Sequence, residues 1–198
     1  DLIGLVNVVY FSPDSLDIVK GAPGGRRTFI DFDLCQINAL YKDTLIRYKK
    51  VIRQRNAFLK ELREKRRSVA ALDAWDRQVA ELGAYIVDCR LNMISNLSTI
   101  AMNTHKIISG GKEGLRLWYS SAIPVQEKTK SEISALLYEK LRSLQHAEIM
   151  RGTTLVGPHR DDIAFLLNDS DLKTYGSQGQ QRTAVLACKL AELELIKG

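Results

Sequence analysis

The residues best equipped for chemistry form one run near the C-terminus, Tyr175-Gly176-Ser177-Gln178-Gly179-Gln180-Gln181-Arg182. Ser177 and Gln180 have the spacing of a capping box, in which hydroxyl and amide side chains each satisfy the other residue's backbone N–H. Gly176 and Gly179 keep the backbone uncluttered. A helix starting here presents unbonded N–H groups, the positive end of its dipole and a serine hydroxyl side by side, a combination suited to a phosphate oxygen. A helix cap with no ligand at all would use the same residues, and the segment alone leaves both readings open.

Other constellations carry less. A phosphate-binding loop needs Gly-x-x-x-x-Gly-Lys-Ser/Thr, so that amides wrap the phosphates and the hydroxyl reaches magnesium. Ser109-Gly110-Gly111-Lys112-Glu113 fails twice, with Lys106 at the first glycine position and Glu113 after the lysine. Gly21-Ala22-Pro23-Gly24-Gly25-Arg26 lacks the lysine. His105, His146 and His159 stand apart from one another and from the cysteines, so no zinc spacing exists. Gly157-Pro158-His159-Arg160-Asp161-Asp162 is a turn dense in ionisable groups, suited to a phosphate, a partner or an internal ion pair. No Ser/His/Asp triad or paired-carboxylate site stands out.

The elements that position these groups follow from periodicity. Leu45, Ile52 and Leu59 recur every seven residues, interleaved with Tyr41, Tyr48, Arg55 and Leu62, which draws one seam down a helix. Arg55 interrupts that seam, as a register mark or a frayed contact. Leu72, Val79, Ile86, Met93 and Ile100 repeat the pattern with Trp75, Leu82, Cys89 and Asn96 between them. The short link near Arg66 to Ala71 makes the two helices antiparallel neighbours, and Ser109-Gly110-Gly111 stops the second. Val6 to Phe11, Leu115 to Tyr119, Thr153 to Val156, Asp162 to Leu167 and Leu172 to Tyr175 read as strands, with a turn at Asn168-Asp169-Ser170-Asp171. Thr129 and Glu132 cap a helix over about 130–150, and a last helix starts near Ser177 and runs through Leu186, Leu190, Leu193 and Ile196. The expected architecture is mixed α/β: residues 1–40 a strand and linker, 41–110 an antiparallel coiled-coil arm, and 111–198 an α/β lobe.

Charge is uneven along this plan. Between positions 42 and 67 eleven Lys and Arg face three acids, a surplus of +8 in a chain of formal net charge +6. Lys49, Arg53, Lys60, Arg63 and Arg67 share one flank of the first arm helix, which suits a polyanion, although a solvated helix face has the same look. At 198 residues, 45% hydrophobic and 26% charged, the chain is neither a disordered tail nor a collagen-like repeat nor a disulfide scaffold. Its three scattered cysteines favour a reducing compartment. No apolar run approaches the roughly 20 residues that cross a bilayer, and no signal-peptide pattern opens the chain. The absent initiator Met and the apolar periodicity at the end suggest a piece of something longer.

Three segments, in order, resemble one family. They are Pro13-Asp14-x-x-x-Ile18-Val19-x-Gly21-Ala22-Pro23-x-x-Arg26-Arg27-x-Phe29-Ile30-Asp31, then Gly157-Pro158-His159-Arg160-Asp161-Asp162, then Gly176-Ser177-Gln178-Gly179-Gln180-Gln181-Arg182. Together they resemble the RecF family of bacterial DNA replication and repair proteins. The resemblance implies an SMC-like ABC ATPase head, of which this chain holds the signature lobe with an inserted helical-hairpin arm. It further implies ATP and magnesium bound by the intact protein but not by this stretch alone. It implies ATP-dependent homodimerisation, DNA binding, slow DNA-dependent ATPase activity, and work with RecO and RecR to load RecA at gaps and stalled forks in the cytoplasm. Ser177, Gln178, Gly179, Gln180, Gln181 and Arg182 then correspond to the ABC signature, whose Ser and amides meet the γ-phosphate held by the opposite subunit. Gln178 stands where many ABC proteins have Gly. Arg26 and Arg27 join the DNA-facing candidates, with pairing to Asp31 or Asp33 as the alternative. A second reading remains: a non-enzymatic module whose arm docks RecR or another repair protein.

Overall fold

A computed structural model of the chain describes residues 13–64 and 68–197. The expected strand at Val6 to Phe11 and the candidate Arg67 lie outside the described residues. A 3-10 turn at Pro13–Leu16 leads into α1 (Asp17–Lys20), α2 (Pro23–Ile37), α3 (Ala39–Arg63), α4 (Leu72–Ser109), β1 (Leu115–Ser120), α5 (Lys130–Arg151), β2 (Asp162–Leu167), β3 (Ser170–Asp171), α6 (Leu172–Tyr175) and α7 (Gln178–Lys197). Among the described residues the fold is mostly helical, with one small antiparallel sheet in the order β1-β2-β3. It divides into two compact units, Leu40–Cys89 with Ser121–Asp161, and Asp1–Ala39 with Arg90–Ser120 and Asp162–Gly198.

The first unit is helical. Leu62 clusters with Leu72, Arg55 bonds Asp76, and a Cβ on Gly83 would lie 3.5 Å from the Tyr48 ring. Rising numbers on α3 therefore meet falling numbers on α4, the antiparallel arrangement expected of the two heptad runs. The third helix, α5, was expected in the lobe but belongs here. Its Lys130 lies over the Tyr85 ring and its Ile149 packs on the Leu59, Leu62 and Leu72 cluster, so it runs antiparallel to α4. The two-helix arm is thus corrected to a unit of three helices, and the boundaries at 41 and 110 give way because α4 continues from one unit into the other.

Arg55 explains the third helix. Its side chain is fully buried, with Nε and Nη2 donating to Asp76 Oδ1 at 3.0 and 2.6 Å, Nη2 to Glu148 Oε2 at 2.6 Å, and Nη1 to Thr154 Oγ1 at 2.9 Å. The guanidinium fork is the one side chain able to serve α4, α5 and the segment after α5 at once. That segment was expected to be a strand. It is irregular, because Thr154 spends its backbone N–H and its hydroxyl on Asn56 Oδ1, at 2.8 and 2.7 Å, and so forgoes a ladder. Burial raises the Asp76 carboxyl above its ordinary 3.8, outweighing the adjacent Arg55, which lowers it.

The second unit holds the sheet. β1 and β2 pair from Leu115↔Leu167 to Ser120↔Asp162, and alternation places Leu115, Leu117 and Tyr119 opposite Leu167, Phe165 and Ile163 on the buried face. Asn168 and Asp169, at φ 48 and 63, make the two-residue turn to β3. Leu172 to Tyr175, expected as a strand, is one helical turn capped by Asp171, whose carboxylate accepts from Thr174 N at 3.1 Å. Residues 23–37, expected as linker, form α2: Pro23 sits at the first helical turn, where its missing N–H costs nothing, and Ile30 and Leu34 recur on its buried side. α2 packs on β2 and α7.

Candidate nucleotide-contact site and basic helix face

α7 begins as its residue types require. Gln180 N donates to Ser177 Oγ at 3.2 Å, and Ser177 N donates to Gln180 Oε1 at 2.8 Å, a complete reciprocal box. Because Ser177 Oγ accepts from the chain, its own O–H proton is left to donate outward. The amides of Gln178 and Gly179 occupy the first turn, where no intrahelical acceptor exists, and both residues are exposed together with Ser177 and Arg182. Gln181 is buried and faces away: its Nε2 donates to the Leu172 and Gly176 carbonyls, both at 3.1 Å, which ties the turn to α6. A Cβ on Gly176 would fall 2.5 Å from Leu172 O, so the turn closes only on glycine. An open pocket of about 230 Å³ lies beside the cap, lined by Leu167, Asp171, Tyr175, Gly176 and Gln180 among others.

The box is anchored from behind by a residue that sequence reasoning passed over. Gln180 Nε2 donates to Glu113 Oε1 at 2.7 Å. Glu113 entered the sequence reading only as the residue that spoils a phosphate-loop pattern. Nothing in its spacing pointed to a partner 67 positions away.

Deeper in the same unit, Asp33 on α2 faces Glu192 on α7, and both are buried. Among the described residues neither Asp33 oxygen has a hydrogen-bond partner, and Glu192 carries the ammonium of Lys189 at 2.7 Å. Burial first, and the neighbouring Glu192 second, push Asp33 up to about 8. Burial likewise pushes the Cys188 thiol up to about 12, an inert thiol rather than a nucleophile.

The structure separates the cationic candidates. Arg26 is 4% exposed and makes a bidentate pair with Asp162, at 2.7 and 2.8 Å, while its Nη1 caps the Gly21 carbonyl at 2.9 Å. That removes Arg26 from the surface available to DNA. Its partner is Asp162, neither Asp31 nor Asp33, so two of the three motifs are joined by one ion pair. Asp31 instead accepts from Arg90 at 2.9 and 3.0 Å. Arg27 is half-buried. Lys49, Arg53, Lys60 and Arg63 are all exposed on α3, on a flank beside a seam of Tyr41, Tyr48, Ile52, Leu59 and Leu62.

The Gly157 to Asp162 turn is built for structure. Arg160 N closes it on Gly157 O at 2.8 Å, His159 Nδ1 lies 2.8 Å from the Tyr48 hydroxyl, and Arg160 Nε donates to Thr154 O at 3.2 Å. Gly157, at φ +122, has the Tyr48 hydroxyl 2.5 Å from where a Cβ would sit, so no other residue fits. Among the described residues no cluster of His, Cys, Asp or Glu could hold a metal ion, and no helix is long and apolar enough to cross a membrane.

Comparison with known proteins decides the kinship. The chain is 46% identical over 197 residues to the DNA replication and repair protein RecF of Ligilactobacillus salivarius, and 44% identical over 198 residues to that of Shouchella clausii. Over its whole length the chain is similar to RecF proteins. The alignments take in 98% and 99% of this chain, which spans about half the length of the curated relatives it matches. Among solved structures, the recombination mediator protein RecF-ATP in the RecFOR pathway superposes with a TM-score of 0.94 at 33% identity, covering 100% of this chain and 52% of that one. No family model matches the chain.

Proposed function

We propose that this chain supplies the signature side of an ABC-type nucleotide site in a RecF-family repair ATPase, completing in trans the ATP site of a second copy. One observation carries the reading: the Ser177/Gln180 box consumes one backbone amide on each side and leaves the Ser177 O–H and the Gln178 and Gly179 amides at exposed residues of a helix N-terminus. These groups fit a γ-phosphate oxygen, and all of them are donors. Bound ATP would supply the negative charge that draws the two copies together. Ser177 donates its hydroxyl proton, the amides take the remaining charge, and Gln181 keeps the turn from opening. Magnesium and the rest of the nucleotide would be held by parts of the intact protein outside this chain.

Lys49, Arg53, Lys60 and Arg63 are the DNA-facing residues of this reading, with Arg67 and Arg27 as lesser candidates. RecO and RecR are the expected partners, and loading of RecA at gaps and stalled forks the expected outcome, because the matched solved relative is a mediator of the RecFOR pathway. Ser177→Ala in the intact protein tests the central claim. ATP-driven self-association by sedimentation, and turnover with it, should fall while ATP binding by the separate protomer persists. Unchanged association and turnover sinks the trans site.

A second reading has α3 docking a protein, and exposed Leu40 and Ile46 on that helix favour it. Salt separates the two: DNA affinity carried by four lysines and arginines falls steeply with log[salt], with a slope near −0.9 per phosphate neutralised. A flat response, together with no loss after charge reversal at Lys49 and Arg53, favours protein docking.

A further inference from the structure

We propose that Glu113 is a positioning residue for the signature turn: its carboxylate fixes which way the Gln180 amide faces, and thereby whether the Ser177 box closes. The inference rests on the trans-phosphate reading for its functional consequence, and on geometry alone for its structural one.

A glutamine amide has a donor end and an acceptor end, and the two are nearly equal in shape. Ser177 N–H needs the acceptor end, which it receives at 2.8 Å. Turned over, the amide would set NH2 against N–H, and the box would open. Glu113 prevents this because an ionised carboxylate only accepts, so it admits only the donor end, at 2.7 Å. The two bonds thus select the same orientation from opposite sides.

Glu113 is itself rigidly placed. The next residue, Gly114, exchanges both of its backbone bonds with Asn168 in the β2–β3 turn, N to Oδ1 at 2.8 Å and O from N at 2.9 Å. The residues before it turn sharply through Gly110 and Gly111, at φ +68 and +77, with Gly111 N closing on Lys106 O at 2.8 Å. Behind the carboxylate, His105 is fully buried on α4 with both ring nitrogens lacking a hydrogen bond, and its Nε2 stands 3.9 Å from Glu113 Oε2. One Glu113 oxygen is therefore committed to Gln180, and the other lies 3.9 Å from an imidazole that makes no hydrogen bond among the described residues. A group so held serves as a fixed template rather than a surface charge.

Three variants of the intact protein test this by hydrogen exchange at the Ser177 amide and by ATP-dependent sedimentation. Glu113→Lys offers only donors and turns the amide over. Protection at Ser177 should fall about tenfold, the size of one hydrogen bond to a neutral amide oxygen, and association should weaken with it. Glu113→Ala should show the same loss of protection without the reversed charge. Glu113→Gln retains an acceptor and should stay near the parent on both readouts. A role confined to ion pairing with His105 would instead be lost equally in Gln and Lys. Unchanged Ser177 protection in Lys and Ala, or equal damage in Gln and Lys, overturns the assignment. Failure of the trans site shows differently, as intact association in Ser177→Ala, and leaves the exchange result to decide on Glu113.

Discussion

The two compact units solve the same two problems in opposite ways. Each starts a helix with a capping box and each buries carboxyl groups in its interior. In the helical unit the box is Thr129 and Glu132, with Glu132 N donating to Thr129 Oγ1 at 3.3 Å and Thr129 N to Glu132 Oε2 at 2.8 Å. In the sheet-bearing unit it is Ser177 and neutral Gln180. The helical unit gives its buried Asp76 and Glu148 a guanidinium, whereas the other unit sets Asp33 against Glu192. A charged box fills the positive end of its helix with its own anion. A neutral one leaves that end for an anion from elsewhere. The same device is thus finished as structure in one place and left open in the other.

The largest effect should come from breaking the satisfied cluster. Arg55→Leu leaves Asp76 and Glu148 buried without their cation, at a cost of about 3–5 kcal/mol. Chemical denaturation should show it, and a loss under 1 kcal/mol would mean that the helical unit does not depend on this hub. The pair of Asp33 and Glu192 should respond to pH instead. Folded Asp33 holds its proton up to about 8, against 3.8 when free, so between those values the folded chain binds more protons than the unfolded one. Stability therefore falls as pH rises across that window. Asp33→Asn removes the ionisable group and should flatten the slope in thermal melts. An unchanged slope would show that Asp33 and Glu192 do not share a proton.

What the sequence revealed follows the range of each interaction. Both boxes were legible, because three residues of spacing contain the whole device. So were α5, the end of α4 at Gly110-Gly111, and the β1 and β2 strands, where period and turn residues agree. Arg55 was legible only as an interruption, since its partners lie 21, 93 and 99 positions away. Those separations also hid the membership of α5 in the helical unit. In α7 the leucines misled: Ala184, Cys188 and Ala191 form the buried stripe, while Leu186, Leu190 and Leu193 stay 37–44% exposed. Small residues allow α7 to approach α2 closely, and a hydropathy pattern does not register size. Arg26 was placed at the surface because its partner, Asp162, is 136 positions distant.

The paired cap substitutions sharpen the contrast at smaller cost. Thr129→Ala and Ser177→Ala each remove one N-cap hydroxyl and should each destabilise by about 1 kcal/mol. Only the second should also reduce ATP-dependent association. Equal functional loss in both would mean that association reports general stability and says nothing of the phosphate.

The smallest effect is the cleanest in sign. Glu132 accepts from the Thr129 backbone and hydroxyl and from Lys128, and these bonds, with the backbone one foremost, hold its carboxyl down at about 2 against an ordinary 4.5. A depressed folded value means that the contribution is complete above 4.5 and is lost as pH falls toward 2. The Ser177 box contains no ionisable group, so acid has nothing in it to protonate. Followed by NMR, the Thr129 amide should move with a midpoint near 2, while the Ser177 amide stays in place. A Thr129 amide that does the same would show the α5 cap to be held by its hydroxyl alone, and the contrast between a filled and an open helix end would lose its charged member.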